Sequence, residues 1–252
     1  MHSFEWISLI PFVEESKVPF GHVLHAALVF LILTTLVLIA RRRLVDPDLD
    51  IVPAPRLSVV NFFETAYGTI EKLCEESLGH HGHKYIYLVG TLALWILFSN
   101  LLGVIPGFVP PTDNVNTNFA CAAIVFLATH YYGFKSHGVK YLKHFVGPTP
   151  WLAPLMIPIE IIGHLARPLS LTLRLFGNMF GDHMNLMVFV GMMIGLTKFI
   201  LSGPVPLWLF ALITPLVPIV IILLGIFVAV VQTYVFVLLT MSYLSGALAE
   251  GH

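Results

Sequence analysis

Charge is what this chain has least of. Only 11% of its 252 residues are Asp, Glu, Lys or Arg, less than half the roughly 25% of a soluble domain. Hydrophobic residues make up 57%. So few charges exclude a well-solvated globular surface, and the bilayer is the expected solvent. Neither sign dominates: 13 basic against 14 acidic residues leave a formal net charge of −1. That excludes the electrostatic footprint of a nucleic-acid partner. Cysteine is scarce too. Cys74 and Cys121 lie in separate segments, form no metal or redox spacing and imply no disulfide. There is no HExxH, so no intramembrane zinc protease is expected, and no Gly-rich phosphate loop, so no nucleotide chemistry. Neither a cofactor nor a metal is expected; "GHHGHK" at 79–84 reads as a solvated loop. "MHSFEWISLIPFVEES" has no basic n-region, and the first apolar run ends in "RRR", so no cleavable signal is expected.

What is present is apolar length. Crossing a hydrocarbon core of about 30 Å takes roughly 20 apolar residues in a helix. Residues 21–40 make one span, 85–105 a second and 117–134 a third. The mixed stretch 54–78 reads as an amphipathic helix on the membrane surface or as a loop, with the surface helix preferred. Arg41, Arg42, Arg43, Arg56, Lys72 and Lys84 fall between the first two spans, and Lys135, Lys140 and Lys143 follow the third. The positive-inside rule then puts the amino terminus outside and both basic loops in the cytoplasm. Residues 151–201 and 207–248 are too long for simple spans, roughly 75 and 63 Å at 1.5 Å per residue. Either each breaks at prolines (Pro168; Pro215 and Pro218), or each is one long tilted helix. Sequence on both sides of Arg174 stays apolar, which favours two long helices forming a carboxyl-terminal hairpin. The expected fold is an all-α integral membrane protein forming one membrane domain.

On a helical wheel the first long helix sorts its polar residues onto one face. With Arg174 at zero, Arg167, Asn178, Asp182, Glu160, His164 and Asn185 all fall within about 80°, and His183 falls opposite. Gly163 and Gly181 border this stripe. Gly177-x-x-x-Gly181 reads most simply as a helix-packing face. On the second long helix Gln232 heads a weaker stripe with Thr214, Gly225, Thr240 and Tyr243, and its amide needs a partner if buried. Isolated polar residues in membrane helices often just bond a neighbouring helix, and Arg167 can snorkel. Arg174 fits neither description. A charge at mid-membrane costs at least ~2.5–3.5 kcal/mol, and arginine cannot escape by losing its proton. No acid sits one turn away, and Asp182 is about 12 Å along the axis. The expected anionic partner is on another chain.

"RPLSLTLRLFGNMFGDH" from Arg167, "VVQTYVFVLLTMSYLSGALAE" at the close and "PPTDNVNTNFA" after the second span resemble subunit a of the F-type ATP synthase membrane sector, of bacterial type. The resemblance covers the chain from about residue 20 onward. It implies a proton-conducting stator subunit of the bacterial inner membrane. Its partners would be a rotor ring of small two-helix subunits, each with a membrane carboxylate, and the peripheral-stalk subunit b. Arg174 matches the essential arginine facing each ring carboxylate. Asn178 and Gln232 match polar residues beside it, Glu160 the acid of the cytoplasmic exit path, and Asp182 and His183 the relay from the opposite side. His164 shares the Glu160 face and joins the candidate set. Gly177, Gly181 and Gly225 are candidates for close helix approach. Gly225 departs from the many relatives that place a histidine or an acid there, and Asp182 is expected to supply the acid instead. A stand-alone transporter holding solute between Arg174 and Asp182, or a structural membrane anchor, are the alternatives from other classes.

Overall fold

The computed structural model describes residues 21–44, 58–105, 107–142, 151, 153–202 and 216–248. All regular structure among them is helical: α1 (Gly21–Leu44), α2 (Val59–Leu78), α3 (Ile86–Val104), α4 (Val115–His137), α5 (Ala153–Ser202) and α6 (Leu216–Leu248). Short 3-10 turns at Gly79–Lys84, Pro111–Asp113 and Gly138–Leu142 connect α2 to α3, α3 to α4, and leave α4.

Local chemistry explains two of the helix starts. Ser58 caps α2 by accepting the Asn61 amide on its hydroxyl, and Asn114 caps α4 by accepting the Asn116 amide at 2.9 Å. Each cap satisfies an orphan donor of the first turn. Helix α2 begins at Val59, so the start expected at residue 54 falls outside the described residues. Its inward residues Ile70, Leu73 and Cys74 pack on α3 and α6, while Glu64, Lys72, Glu75 and Glu76 point outward. "GHHGHK", expected as a solvated loop, forms a 3-10 turn.

Helices α1, α3 and α6 are long and apolar enough to cross a membrane. Helix α5 is the one whose continuity was in question. It runs unbroken for 50 residues with Pro158 and Pro168 inside it. The sequence after Pro168, "LSLTLRLF", stays largely apolar on both sides of Arg174 and offers no polar turn at which to leave the helix. Helix α6 is likewise continuous over 33 residues, with Pro218 in its first turn. Thr214, Pro215 and the expected start of α6 at 207 lie outside the described residues.

The core lies where four helices meet. Leu92 and Ile96 of α3, Cys121, Ala122 and Val125 of α4, Leu171 and Leu175 of α5, and Phe236 of α6 form one buried cluster. A second cluster joins α2, α3 and α6 through Cys74, Val89, Ala93, Val237 and Met241. Thus α5 is anchored mainly on α4 and α6 mainly on α3. A buried polar knot ties the loop between α3 and α4. The Thr112 hydroxyl donates to Asn100 Oδ1 (2.8 Å), and Asn118 Nδ2 donates to the Thr112 carbonyl (2.7 Å). The Val109 amide donates to His25 Nε2 of α1 (3.4 Å). In a low-dielectric surrounding such bonds fix the loop more firmly than they would in water.

Candidate functional site

Leu171, Leu175 and Met179 recur every four residues on α5 and are buried against its neighbours. Arg174 and Asn178 immediately precede Leu175 and Met179. They therefore lie about 100° round the helix, at the edge of the anchored face. That register sets the site: the polar stripe is held at the rim of the core rather than inside it.

Arg174 is half-buried, and no ion pair involves it among the described residues. One turn on, Asn178 Nδ2 donates to Gln232 Oε1 of α6. Gln232 is buried, so this bond answers the demand its amide makes. Asn178 stays exposed on its other side. The arginine and Asn178 thus open onto a face that none of the described residues covers. A Cβ built at Gly163, Gly177 or Gly181 would meet no atom within 4 Å outside its own helix. Gly177 and Gly181 therefore do not serve packing within the described part of this chain.

Two polar groups flank Arg174 along α5. Toward its amino-terminal end, Glu160 Oε1 lies 3.3 Å from His164 Nε2. The His164 ring meets His130 of α4 edge-on, with centroids 5.1 Å apart. Arg167 lies over the Tyr243 ring of α6 at 5.5 Å, a cation–π contact rather than a free charge reaching for a membrane surface. In the other direction, Asp182 and Asn185 line a cavity of about 90 Å³ with Asn100 of α3 and Gly225 of α6. Asn100 Nδ2 is buried with no partner among the described residues. A Cβ at Gly225 would come within 3.3 Å of Val104, so the glycine is what keeps this space open. The side chain of His183 lies outside the described residues.

The expected residues therefore fall into three places: Glu160 and His164 on one side, Arg174 with Asn178 and Gln232 between, Asp182 with Gly225 on the other. Along the axis the outer groups are about 21 and 12 Å from Arg174. His130 and Asn100 were missed by sequence reasoning. Neither belongs to the polar stripe of the long helices, and nothing in the spacing of its own helix points to Arg174. Only the packing of α4 and α3 against α5 brings them to the site.

The family model described as ATP synthase A chain matches residues 23–245. ATP synthase subunit a 1 of Syntrophotalea carbinolica is 48% identical over 231 residues, which cover 92% of this chain and 87% of that one. Subunit a of Trichlorobacter lovleyi is 47% identical over 230 residues, 91% of this chain and 88% of that one. Subunit a of Geobacter sulfurreducens is 52% identical over 192 residues, 76% of this chain and 75% of that one. A polar stripe built round an arginine with no ion pair among the described residues, in a sequence matched from residue 23 to 245, leaves one conclusion: this chain belongs to the ATP synthase A chain family.

Proposed function

We propose that Arg174 is the fixed cation separating two proton half-channels, one through the Glu160–His164 group and one through the Asp182 cavity. The chain is the ion-translocating stator subunit of its synthase, and ATP is made at catalytic sites on other subunits. Its rotating partner is a ring of small two-helix subunits bearing a membrane carboxylate, seated on the open Gly163–Gly177–Gly181 face. Subunit b is its stalk partner. It lies in the bacterial inner membrane with the amino terminus outside and the carboxyl terminus in the cytoplasm, as the basic loops favour. Helix α5 then runs outward, with Glu160 on the cytoplasmic side and Asp182 on the outer side.

The physics of the step follows. A ring carboxyl must be neutral to travel through lipid, because burying its charge is costly. It must be ionised to exchange its proton. A cation a few ångströms away lowers a carboxyl pKa by roughly 1–3 units, so the anion is tolerated beside Arg174. Each carboxyl releases its proton to one path, passes Arg174 as an anion and reloads from the other. The same positive charge repels protons and blocks a direct leak. Moving one charge across contributes about 2.3 kcal/mol per 100 mV, and that energy turns the ring. Asp182 carries the entering proton, and Gly225 leaves room for water beside it.

The observation that carries this reading is an arginine with no ion pair among the described residues, lying between two separate polar groups. A transporter would need a solute pocket, typically about 300 Å³ or more; the cavity at Asp182 is about 90 Å³. The test is ATP-driven proton pumping by liposomes holding the complete synthase with Arg174→Ala. Coupled pumping should vanish while the ring still co-purifies, and retained pumping would overturn the reading.

A further inference from the structure

We propose that the basic pocket where α2, α4 and α6 end and α3 begins binds the phosphate headgroup of an anionic membrane lipid. The inference does not depend on the proton path. The orientation proposed above decides only which leaflet supplies the lipid.

The pocket has a volume of about 840 Å³, and its polar lining includes Lys84, Lys135, His137, Ser77, Ser136 and Ser245. No carboxylate is among its described lining residues. Neither lysine is in an ion pair among the described residues. Lys135 lies 5.9 Å from the Tyr131 ring, a contact that leaves its charge uncompensated. Three helices end at the pocket and one begins there. At about half a charge per helix end, their dipoles together contribute about one negative charge. The two full lysine charges outweigh it, so the pocket is net cationic. Ammonium and hydroxyl groups are donors, and phosphate oxygens are the strong acceptors that match them.

Size and depth select a lipid over a free anion. Leu78, Leu248 and the edge-on Tyr85–Tyr132 pair, with ring centroids 4.8 Å apart, line the same space. An occupant therefore meets apolar surface as well as cations. The volume falls in the range of small-molecule sites, roughly 300–1,000 Å³, and an inorganic phosphate would use only a fraction of it. Helices α3 and α6 are long and apolar enough to cross a membrane, and the pocket lies at their ends, the level of the headgroups. Basic pockets between membrane helices on the cytoplasmic side hold anionic headgroups in this way. The rim is built by the chain itself: His137 Nε2 lies 3.2 Å from the Leu248 carbonyl and ties the end of α6 to the end of α4.

The test is binding of short-chain phosphatidylglycerol to the complete synthase in neutral detergent, with phosphatidylcholine and inorganic phosphate as the other probes. Phosphatidylglycerol should fill one site per copy of this subunit that phosphatidylcholine does not fill and millimolar phosphate does not empty. The Lys84→Gln, Lys135→Gln double variant should weaken that site about 30-fold, from about fivefold per lysine at headgroup level. Lys72→Gln, on the outward side of α2, should leave it unchanged. Should the double variant fail to assemble, Ser245→Leu fills the pocket without changing charge and should remove the site. Absence of the site, equal binding in the pocket variants, or equal weakening by Lys72→Gln overturns the proposal. Displacement by millimolar phosphate overturns it too, in favour of a free-anion site. Proton pumping enters none of these readouts, so the result stands whatever Arg174→Ala shows.

Discussion

The two polar groups on α5 are built in opposite ways. On the Glu160 side each group already has a partner in this chain: carboxylate with imidazole, imidazole with imidazole, guanidinium with the Tyr243 ring. The free volume there is about 10 Å³. On the Asp182 side there is a carboxylate, two amides and about 90 Å³ of space held open by a glycine. One side has side chains in sequence, and the other has room for water. On the proposed function the two paths would use different carriers, and substitutions should separate them. The Glu160 side should respond to loss of a titratable ring, and the Asp182 side to loss of its acid or its space.

The largest effect should come from removing what stands between the two sides. Arg174→Ala raises the ring carboxyl pKa by roughly 1–3 units, so the ionised fraction falls about 10- to 1,000-fold and coupled pumping becomes undetectable. Arg174→Lys should recover only part of the rate, because a buried lysine can discharge. Next comes Asp182→Asn, expected to slow pumping about 100-fold with the ring still bound. A normal rate there would assign the entering proton elsewhere. Gly181→Leu should leave the isolated subunit as stable as before, since nothing lies within 4 Å of its Cβ position. Co-purification of the ring should drop, and an unchanged yield of complex would mean that the ring sits elsewhere. Gly225→Val sharpens the contrast between the sides. It should slow entry by filling the Asp182 cavity, and Val104→Ala in the same chain should restore part of the rate. The smallest effect is the Asn178–Gln232 bond. A double-mutant cycle on thermal unfolding should return a coupling of about 0.6–1.7 kcal/mol, the range for such bonds between membrane helices.

Much of this site can be read from sequence because membrane helices punish unpaired polarity. Seven polar side chains on one wheel face, with an arginine among them, already imply a function rather than a fold. The order Glu160, Arg174, Asp182 along one helix is readable before any coordinates are known, and it is what the proposal of two offset paths starts from. Gln232 advertises a missing partner, and Asn178 turned out to be that partner. The glycines show what spacing leaves open. Their spacing suggests packing, yet Gly177 and Gly181 face open space. A smooth surface awaiting another chain has the same local pattern as one already covered.

Helical period, span length and the cost of a buried charge were fixed by the sequence alone, because each depends only on neighbours along the chain. Which residues of α3 and α4 join α5 was decided by tertiary packing. His130, Asn100 and the volume beside Gly225 belong to the site only because helices distant in sequence dock at that register, and no local energy along the chain specifies where they dock.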